Sequence, residues 1–207
     1  MMDMQRKIGL MGGTFDPVHH GHLLMAEAVR EQYGLDKVLF IPAAQPPHKQ
    51  GRKVAPAYMR LLMTEMAVCD NPYFEVSQIE LRREGPSYSV DTLRELRSLH
   101  GSETEFYFIT GADAVNELAT WHEPEELLRL CHFIAATRQG CALNLPRLRR
   151  ELGERVVRER IHELSTPELE ISSTNIRARI RAGLSIKYLV PGTVEAFIYK
   201  EGLYHDL

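Results

Sequence analysis

A chain of 207 residues with 44% hydrophobic and 26% charged residues is long enough to fold as a single domain around its own core. The net charge of −3 argues against broad nucleic-acid binding, and no apolar run approaches the length of about 18 residues that a membrane span needs. Three cysteines without Cys-x-x-Cys spacing indicate reduced thiols, so the sequence predicts a cytoplasmic protein.

The stretch from Ile8 to His22 predicts a buried strand, a glycine turn and the start of a helix. The turn contains Gly12 and Gly13, and small residues there let backbone N–H groups approach an anion at the positive end of the helix. His19 and His22 are three residues apart, where two imidazoles can donate hydrogen bonds to one phosphate chain. The stretch therefore predicts a phosphate-binding site.

Each histidine taken alone is better explained as a surface residue or a satisfied core residue, and His20 fits that explanation. A zinc site is disfavoured because two histidines supply two ligands only, with no cysteine or carboxylate at ligand spacing. The eleven residues from Gly12 to His22 resemble the signature of the nucleotidyltransferase superfamily. That superfamily transfers a nucleoside monophosphate from a triphosphate to a phosphate acceptor.

A second strand is predicted at Val38–Ile41, which with the first strand and helix makes a parallel βαβ unit. The polar, Pro-rich loop Ala43–Val54 follows at the strand edge where open α/β sheets bind ligands, so Lys49 is a candidate phosphate contact. A solvated loop lysine is the alternative interpretation.

The segment Pro56–Cys69 predicts a helix with a core-facing apolar stripe formed by Met59, Leu62, Met63 and Met66. Short strands are predicted at Phe74–Ser77 and around Ile79–Leu81, and a helix at Val90–Leu99. Ser89 offers a hydroxyl at the start of that helix.

A strand at Phe106–Ile109 leads into Gly111 and Asp113, which are candidates for holding the ribose or the base of a nucleotide. An aspartate at a helix N-terminus is the alternative. Trp121 lies in an irregular stretch between short helices, where it either stacks on an aromatic ligand or anchors the core. A further strand is predicted over Cys131–Ala136.

The segment from Leu145 to Leu164 holds six arginines and four glutamates, and predicts a solvated helical face. The next helix begins with Ser173 as its N-cap and carries Thr174 and Arg177 in its first turn, which together predict a second anion site. A helix cap with an exposed arginine is the alternative.

The stretch Ile171–Arg177 is similar to the Ile-Ser-Ser-Thr-x-Ile-Arg motif of bacterial nicotinate-nucleotide adenylyltransferases. Further segments resemble that family in its order: Pro46–Lys49, Pro86–Leu93, Ile109–Asp113, Thr120–His122, Val190–Pro191 and Gly202–Tyr204. The match spans nearly the whole chain. Ser89 departs from it, because a threonine is expected there, although both residues carry a hydroxyl.

The residues alone predict an α/β fold with a parallel sheet that binds a phosphate chain. The resemblance implies a Rossmann-like open sheet with helices on both faces, and one domain over residues 1–207 in which the helical part from about 165 to 207 closes the ATP phosphate site. It also implies adenylyl transfer from ATP to nicotinate mononucleotide, with Mg²⁺ carried on the ATP phosphates. Such a reaction needs positioning and charge stabilisation and no protein nucleophile.

The resemblance also implies roles for individual residues. The ATP-binding set is Gly12, Gly13, Thr14, Phe15, His19, His22, Gly111, Asp113, Ser173, Thr174 and Arg177. The nicotinate mononucleotide set is Lys49, Ser89, Trp121 and His122, and the catalytic set is His19, His22, Lys49 and Arg177.

Two other classes remain open. One is a different transferase of the superfamily, such as a pantetheine-phosphate adenylyltransferase or a cytidylyltransferase, which would lack Trp121 and Ser173. The other is a non-catalytic nucleotide-binding module, against which the intact pair of His19 and His22 argues. The sequence leaves open whether the acceptor is nicotinate or nicotinamide mononucleotide, and whether the chain forms a homo-oligomer.

Overall fold

The computed structural model describes residues 6–45, 53–137, 142–165 and 171–205. In chain order the elements are β1 (Lys7–Gly13), α1 (His20–Tyr33), β2 (Lys37–Pro42), α2 (Ala57–Val68), β3 (Phe74–Val76), α3 (Ser89–His100), β4 (Glu105–Gly111), α4 (Ala112–Asn116), a 3₁₀ turn (Leu118–Thr120), α5 (Pro124–Leu130), β5 (His132–Thr137), α6 (Leu145–Leu152), α7 (Glu154–Arg160), β6 (Ile161–Ser165), α8 (Ser173–Arg181) and α9 (Gly192–Lys200).

These strands form one six-stranded sheet in the order β3-β2-β1-β4-β5-β6. The pairings of β1 with β4, β4 with β5 and β5 with β6 are parallel, with Ile8 opposite Phe106 and Phe108, Phe133 and Ile161 aligned across three strands. The predicted fold class, a parallel α/β sheet flanked by helices, is confirmed. Within the described ranges, no helix is long and apolar enough to cross a membrane.

The chain divides into two compact units. The first unit comprises Met1–Gly12, Met25–Leu39 and Tyr88–Glu168, and the second comprises Gly13–Leu24, Phe40–Ser87 and Leu169–Leu207. Each unit has its own set of buried apolar side chains.

The core of the first unit is built on strands that are buried on both faces, as the continuous apolar runs predict. Ile8, Phe106, Phe133 and Ile134 are all at most 1% exposed. Gly9 is required in β1 because an added Cβ would lie 2.9 Å from Leu35 Cδ1. The core of the first unit therefore depends on the close approach of the Leu35 side chain to the β1 backbone at Gly9.

The core of the second unit is formed by helices α2, α8 and α9. Ile176 and Ile180 are buried on α8, as their i, i+4 spacing predicts, and Val194 and Ile198 are buried on α9. Tyr204, beyond the end of α9, is 1% exposed. Burying an Ile or Val side chain contributes roughly 1.5–3 kcal/mol, so these residues stabilise α8 and α9 in place.

The prediction of an apolar, core-facing stripe on α2 is wrong in part. Met63 is fully buried, but Leu62 is exposed, and the side chain that shares the buried face is Arg60 at 2% exposure. An arginine can replace an apolar residue there because its polar atoms are satisfied by backbone carbonyls.

Two further predictions, one of a strand and one of a helix, also need correction. The residues around Ile79–Leu81 form a turn in which the Arg82 N–H donates to the carbonyl of Gln78, although Ile79 is buried. The charged segment predicted as helical divides at Gly153, whose φ is 96°, and ends in strand β6. β6 is an edge strand with only Ile161 and Leu164 buried, so it lacks the apolar run of a central strand.

A hydrogen-bonded chain of side chains joins β5, β6 and α7 in the first unit. Arg160 Nη1 lies 3.0 Å from His132 Nε2, and His132 Nδ1 lies 3.0 Å from His162 Nε2. Because arginine only donates, each bond requires a neutral imidazole. Burial first, and then the charge of Arg160, lowers the pKa of both histidines, with Lys7 adding to the effect on His132 and Glu105 opposing it.

We expect the free energy of unfolding to decrease as the pH falls below about 6.5, because the unfolded chain takes up protons there that the folded histidines do not. The variant His162→Gln keeps an acceptor for His132 but cannot titrate. Urea unfolding at pH 7.5 and pH 5.5 should therefore show a smaller acid-induced loss of stability in the variant. Equal losses in the two proteins would contradict this role.

Candidate active site

The first group of predicted site residues lies in the second unit, where the chain leaves β1. Phe15 is buried with a φ of 49°, a left-handed conformation that is uncommon for a residue with a side chain. An added Cβ on Gly13 would lie 3.1 Å from the Phe15 ring, so glycine is needed at this position. The Phe15 ring in turn meets the His22 ring edge-on, with centroids 5.1 Å apart.

The two predicted phosphate-binding histidines are in direct contact. The rings of His19 and His22 are stacked with their centroids 3.7 Å apart. The backbone N–H of His19 donates to His22 Nδ1 over 3.2 Å, which puts the proton of the neutral His22 ring on Nε2. His22 is thus arranged as a hydrogen-bond donor through Nε2.

His19 is 6% exposed, and its Nδ1 atom has no hydrogen-bond partner within the described residues. Burial, and secondarily the charge of His20, lowers the pKa of His19 to about 4. At neutral pH this imidazole is uncharged. A buried nitrogen without a partner is uncommon in folded proteins and is consistent with a role in ligand binding.

Gly21 has a steric function in this pair. An added Cβ would lie 3.0 Å from His19 Nδ1 and 3.1 Å from His19 Cε1. The glycine between the histidines therefore allows the His19 ring to occupy its place.

Asp16 is a buried carboxylate that organises this loop. Its side chain is 2% exposed, and Oδ1 accepts hydrogen bonds from the Tyr204 hydroxyl at 2.9 Å and the Ala55 N–H at 3.2 Å. Arg177 Nη1 lies 3.7 Å from Oδ2. Contact with Asp16 adds to burial in raising the pKa of Tyr204, which keeps the phenol protonated as a donor.

Arg60 lies beneath the same loop. Its guanidinium donates to the backbone carbonyls of Thr14 at 2.7 Å, Ala55 at 3.0 Å and Ala44 at 3.4 Å. Burial lowers the pKa of Arg60, and the negative charge of Asp16 opposes that shift. Three carbonyl acceptors and a nearby carboxylate compensate this buried cation.

Helix α8 brings the second predicted anion site to the same loop. Its N-cap is Ser172, whose hydroxyl accepts from the backbone of the helix, and not the predicted Ser173. Ser173 Oγ instead donates to the Pro17 carbonyl at 2.9 Å. Arg177 Nη1 donates to the Asp16 carbonyl at 2.6 Å, and Nη2 lies 3.4 Å from Thr174 Oγ1.

Gly12, Gly111 and Asp113 belong to the first unit. A Cβ on Gly12 would lie 3.3 Å from the Phe108 ring, and a Cβ on Gly111 would overlap Asp113 Oδ1. Asp113 is exposed in the first turn of α4, where its carboxylate is favourable to the helix dipole. Gly12 therefore has a packing reason in addition to its predicted role, whereas at Gly111 the exposed Asp113 side chain could move aside.

Trp121 is partly buried and meets the rings of Phe108 and Phe133 edge-on, at centroid distances of 5.8 Å and 6.0 Å. It is thus a core anchor with part of its surface accessible. The neighbouring His122 is exposed and stacks on Tyr88 at 4.4 Å, a partner that the sequence does not predict.

Ser89 is the first residue of α3 and is partly buried. Arg94, which like Ser89 belongs to α3, forms an ion pair with Glu123, the residue after His122. Arg94 Nη1 lies 3.1 Å from Glu123 Oε1. That pairing lowers the pKa of the Glu123 carboxyl. It ties α3 to the segment that carries Trp121 and His122.

The structure thus brings together one set of predicted residues in the second unit: Gly13, Thr14, Phe15, His19, His22, Ser173, Thr174 and Arg177. Lys49 lies outside the described residues. Sequence reasoning missed Arg60 and Tyr204 as contacts of this set, and Tyr88 as a contact of His122 in the first unit. The signal available for Arg60 was a single arginine on an otherwise apolar helix face. For Tyr204 it was the resemblance of the Gly202–Tyr204 segment, which gave no contact partner.

A family model described as cytidylyltransferase-like matches residues 10–179. A probable nicotinate-nucleotide adenylyltransferase from Thermoanaerobacter sp. (strain X514) is 50% identical over 98% of this chain and 96% of its own length. One from Moorella thermoacetica is 52% identical over 96% of this chain and 91% of its own length.

Among solved structures, the Plasmodium falciparum nicotinic acid mononucleotide adenylyltransferase complexed with NaAD superposes with a TM-score of 0.78. It covers 96% of this chain and 97% of its own chain at 18% identity, a similarity of fold. The glycine–histidine loop, the α8 motif and identity of about half the residues over nearly full length lead to one conclusion. This chain belongs to the nicotinate-nucleotide adenylyltransferase family of cytidylyltransferase-like proteins.

Proposed function

We propose that this chain transfers the adenylyl group of ATP to nicotinate mononucleotide, forming nicotinate adenine dinucleotide and pyrophosphate. The observation that carries the proposal is the stacked pair of His19 and His22 at the start of α1, with the His19 Nδ1 buried and without a partner in the described chain. Family membership at about half identity supports the choice of substrates.

In this mechanism an oxygen of the acceptor phosphate attacks the α-phosphorus of ATP, and the bond from that phosphorus to pyrophosphate breaks. No protein nucleophile takes part, so the chain contributes positioning and charge stabilisation. The ring of His22 donates from Nε2 to an ATP phosphate oxygen, and His19 contributes a second ring nitrogen. Because neutral imidazoles bind by hydrogen bonding, they add donors at the leaving group without a fixed charge.

Arg177 supplies the positive charge in the proposal. Its side chain is 20% exposed, and its guanidinium is held by the Asp16 carbonyl through Nη1. With Ser173 and Thr174 in the first turn of α8, it would bind the β- and γ-phosphates. This is the sense in which the C-terminal part of the chain, from about residue 165, would close the phosphate site.

The remaining assignments are proposed for the first unit and for Lys49. Gly111 and Asp113 would contact the adenosine half of the substrate, and Trp121 and His122, with Ser89, would bind the nicotinate mononucleotide. Trp121 is partly exposed and would stack on the substrate ring, while T-shaped contacts with Phe108 and Phe133 hold the indole in place. Lys49 would neutralise the acceptor phosphate.

Mg²⁺ enters this proposal as part of the substrate, bound to the ATP phosphates and water. Asp16 does not offer itself as a ligand, because its Oδ1 is occupied by Tyr204 and Ala55. Across the residues the structure describes, no group of three or more His, Cys, Asp or Glu side chains is placed to hold a metal. We place the reaction in the cytoplasm, which agrees with the free thiols of Cys69 and Cys131.

The test is pyrophosphate release from ATP and Mg²⁺ with three acceptors offered separately. We expect release with nicotinate mononucleotide at a rate well above that with nicotinamide mononucleotide or phosphopantetheine. Release with phosphopantetheine alone would move the chain to another substrate class. No release with any acceptor would favour a nucleotide-binding module.

His22→Ala should lower turnover by about 10²-fold, because it removes a donor from the developing charge on pyrophosphate. The matched control is His20→Ala, which changes the adjacent histidine, and we expect it to retain most of the activity. For both variants, steady-state assays give the turnover number and thermal melting shows whether the protein is folded. A fully active His22→Ala enzyme would remove His22 from the mechanism.

Gly21→Ala should lower kcat/KM by about 10-fold, because the new Cβ displaces the His19 ring by a few tenths of an ångström. Stability should be unchanged or slightly higher, since alanine is the better helix former. Gly192→Ala is the matched control, because a Cβ at this α9 position meets nothing within 4 Å. Loss of activity in the control to the same degree would disprove the steric explanation.

A further inference from the structure

We propose that Arg60 and Tyr204 are positioning residues for ATP, which act by holding residues 14–16 of the phosphate-binding loop in the conformation that binds it. The inference rests on the proposed function in naming ATP as the ligand. Arg60 is 2% exposed and Tyr204 is 1% exposed, so neither side chain is accessible to a substrate. Their effect on binding is therefore exerted through the backbone and Asp16.

Arg60 acts on the peptide between Thr14 and Phe15. Its Nη1 draws the Thr14 carbonyl to within 2.7 Å. In a trans peptide the N–H of the next residue is antiparallel to the carbonyl, so the Phe15 N–H is turned away from Arg60. The left-handed φ of Phe15, which is unfavourable for a residue with a Cβ, needs such an external contact to persist.

Arg60 also binds the carbonyls of Ala44 and Ala55 through its other two nitrogens. One guanidinium thus joins three separate points of the backbone in the second unit. A lysine has the same charge but a single point of donation, so it cannot satisfy the three carbonyls with the same geometry.

Tyr204 acts on Asp16 and through it on Arg177. The Tyr204 hydroxyl and the Ala55 N–H fix Asp16 Oδ1 from two directions. The backbone carbonyl of this same Asp16 accepts the 2.6 Å hydrogen bond from Arg177 Nη1. An immobile Asp16 therefore orients the guanidinium that the proposed function assigns to the β- and γ-phosphates.

The charges agree with this role. Arg60 and Arg177 are two cations around one buried carboxylate, so this part of the second unit keeps an excess positive charge. Such an excess favours a polyphosphate, and the rigid hydrogen bonds keep it in place before the ligand arrives.

The experiment compares Arg60→Lys and Tyr204→Phe with two matched controls. Arg97→Lys is the first control, because Arg97 also donates to three backbone carbonyls, those of Ser102 at 2.7 Å, Thr104 at 3.0 Å and Leu130 at 2.8 Å, but in the first unit. Tyr199→Phe is the second, because Tyr199 is the exposed tyrosine of α9. Calorimetry with Mg²⁺ and a non-hydrolysable ATP analogue gives the dissociation constant of each protein.

We expect the dissociation constant to rise about 10-fold in Arg60→Lys and about 3- to 10-fold in Tyr204→Phe, with both controls within twofold of the wild type. In steady-state assays the KM for ATP should rise while the KM for nicotinate mononucleotide stays constant. A purely structural role would lower the amount of active enzyme and leave both KM values unchanged. If Arg60→Lys does not fold, Tyr204→Phe decides alone, because it keeps the buried ring.

A double-mutant cycle of Tyr204→Phe with Asp16→Asn tests whether Tyr204 acts on ATP binding through Asp16. Non-additive effects on the dissociation constant are expected if Tyr204 acts through Asp16. Additive effects, or an unchanged dissociation constant in the single variants, would overturn the proposal. Failure of the proposed function would give a different result, because the wild type would then bind the analogue yet release no pyrophosphate with nicotinate mononucleotide. In that case the comparison of dissociation constants would still decide the roles of Arg60 and Tyr204.

Discussion

The interactions of the buried Asp16 carboxylate are the constraint on which the candidate active site depends. A buried charged oxygen must be matched by donors or cations. At Asp16, Tyr204 and Ala55 donate hydrogen bonds to the carboxylate and Arg177 supplies a positive charge 3.7 Å away, and these three residues are far apart in the chain. Because the donors must converge on one side chain, the loop after β1, the start of α2, helix α8 and the C-terminal tail are held to a single arrangement. The groups that we propose to bind phosphate take their positions from this arrangement.

The proposed mode of phosphate recognition differs from that of a P-loop, because no Gly-Lys pair supplies the charge. Two stacked imidazoles lie at the start of α1, and burial lowers the pKa of His19 to about 4, so that its ring is neutral. The positive charge comes from guanidinium groups that are fixed by backbone carbonyls. Ring packing thus holds the imidazoles in position, and hydrogen bonds to backbone carbonyls hold the charged guanidinium groups. This arrangement suits a reaction catalysed by orientation and electrostatics.

Residue type and spacing predicted which polar groups of the second unit lie near one another, whereas their roles in binding and catalysis stay a prediction. His19 and His22 are three apart at a helix start, and Ser173, Thr174 and Arg177 occupy one helical turn, so local structure alone brings each set together. Local pattern was insufficient for α2, where Arg60 occupies a buried face and Leu62 an exposed one. The reason is that burial of an arginine depends on carbonyls from Thr14, Ala44 and Ala55, and no helical periodicity encodes those partners.

By itself, the sequence determined the α/β class, the central strands and the presence of helices at the two proposed anion sites, since apolar runs, glycine turns and capping residues act over a few neighbouring positions. Only the tertiary structure decided that β6 is a strand, because an edge strand with two buried residues is defined by its partner β5. The tertiary structure also decided that Ser173 binds the Pro17 carbonyl while Ser172 caps the helix, and that Tyr204 binds Asp16. The contacts of Ser173 with Pro17 and of Tyr204 with Asp16 join residues 156 and 188 positions apart, so they depend on how the chain folds back and not on any local pattern.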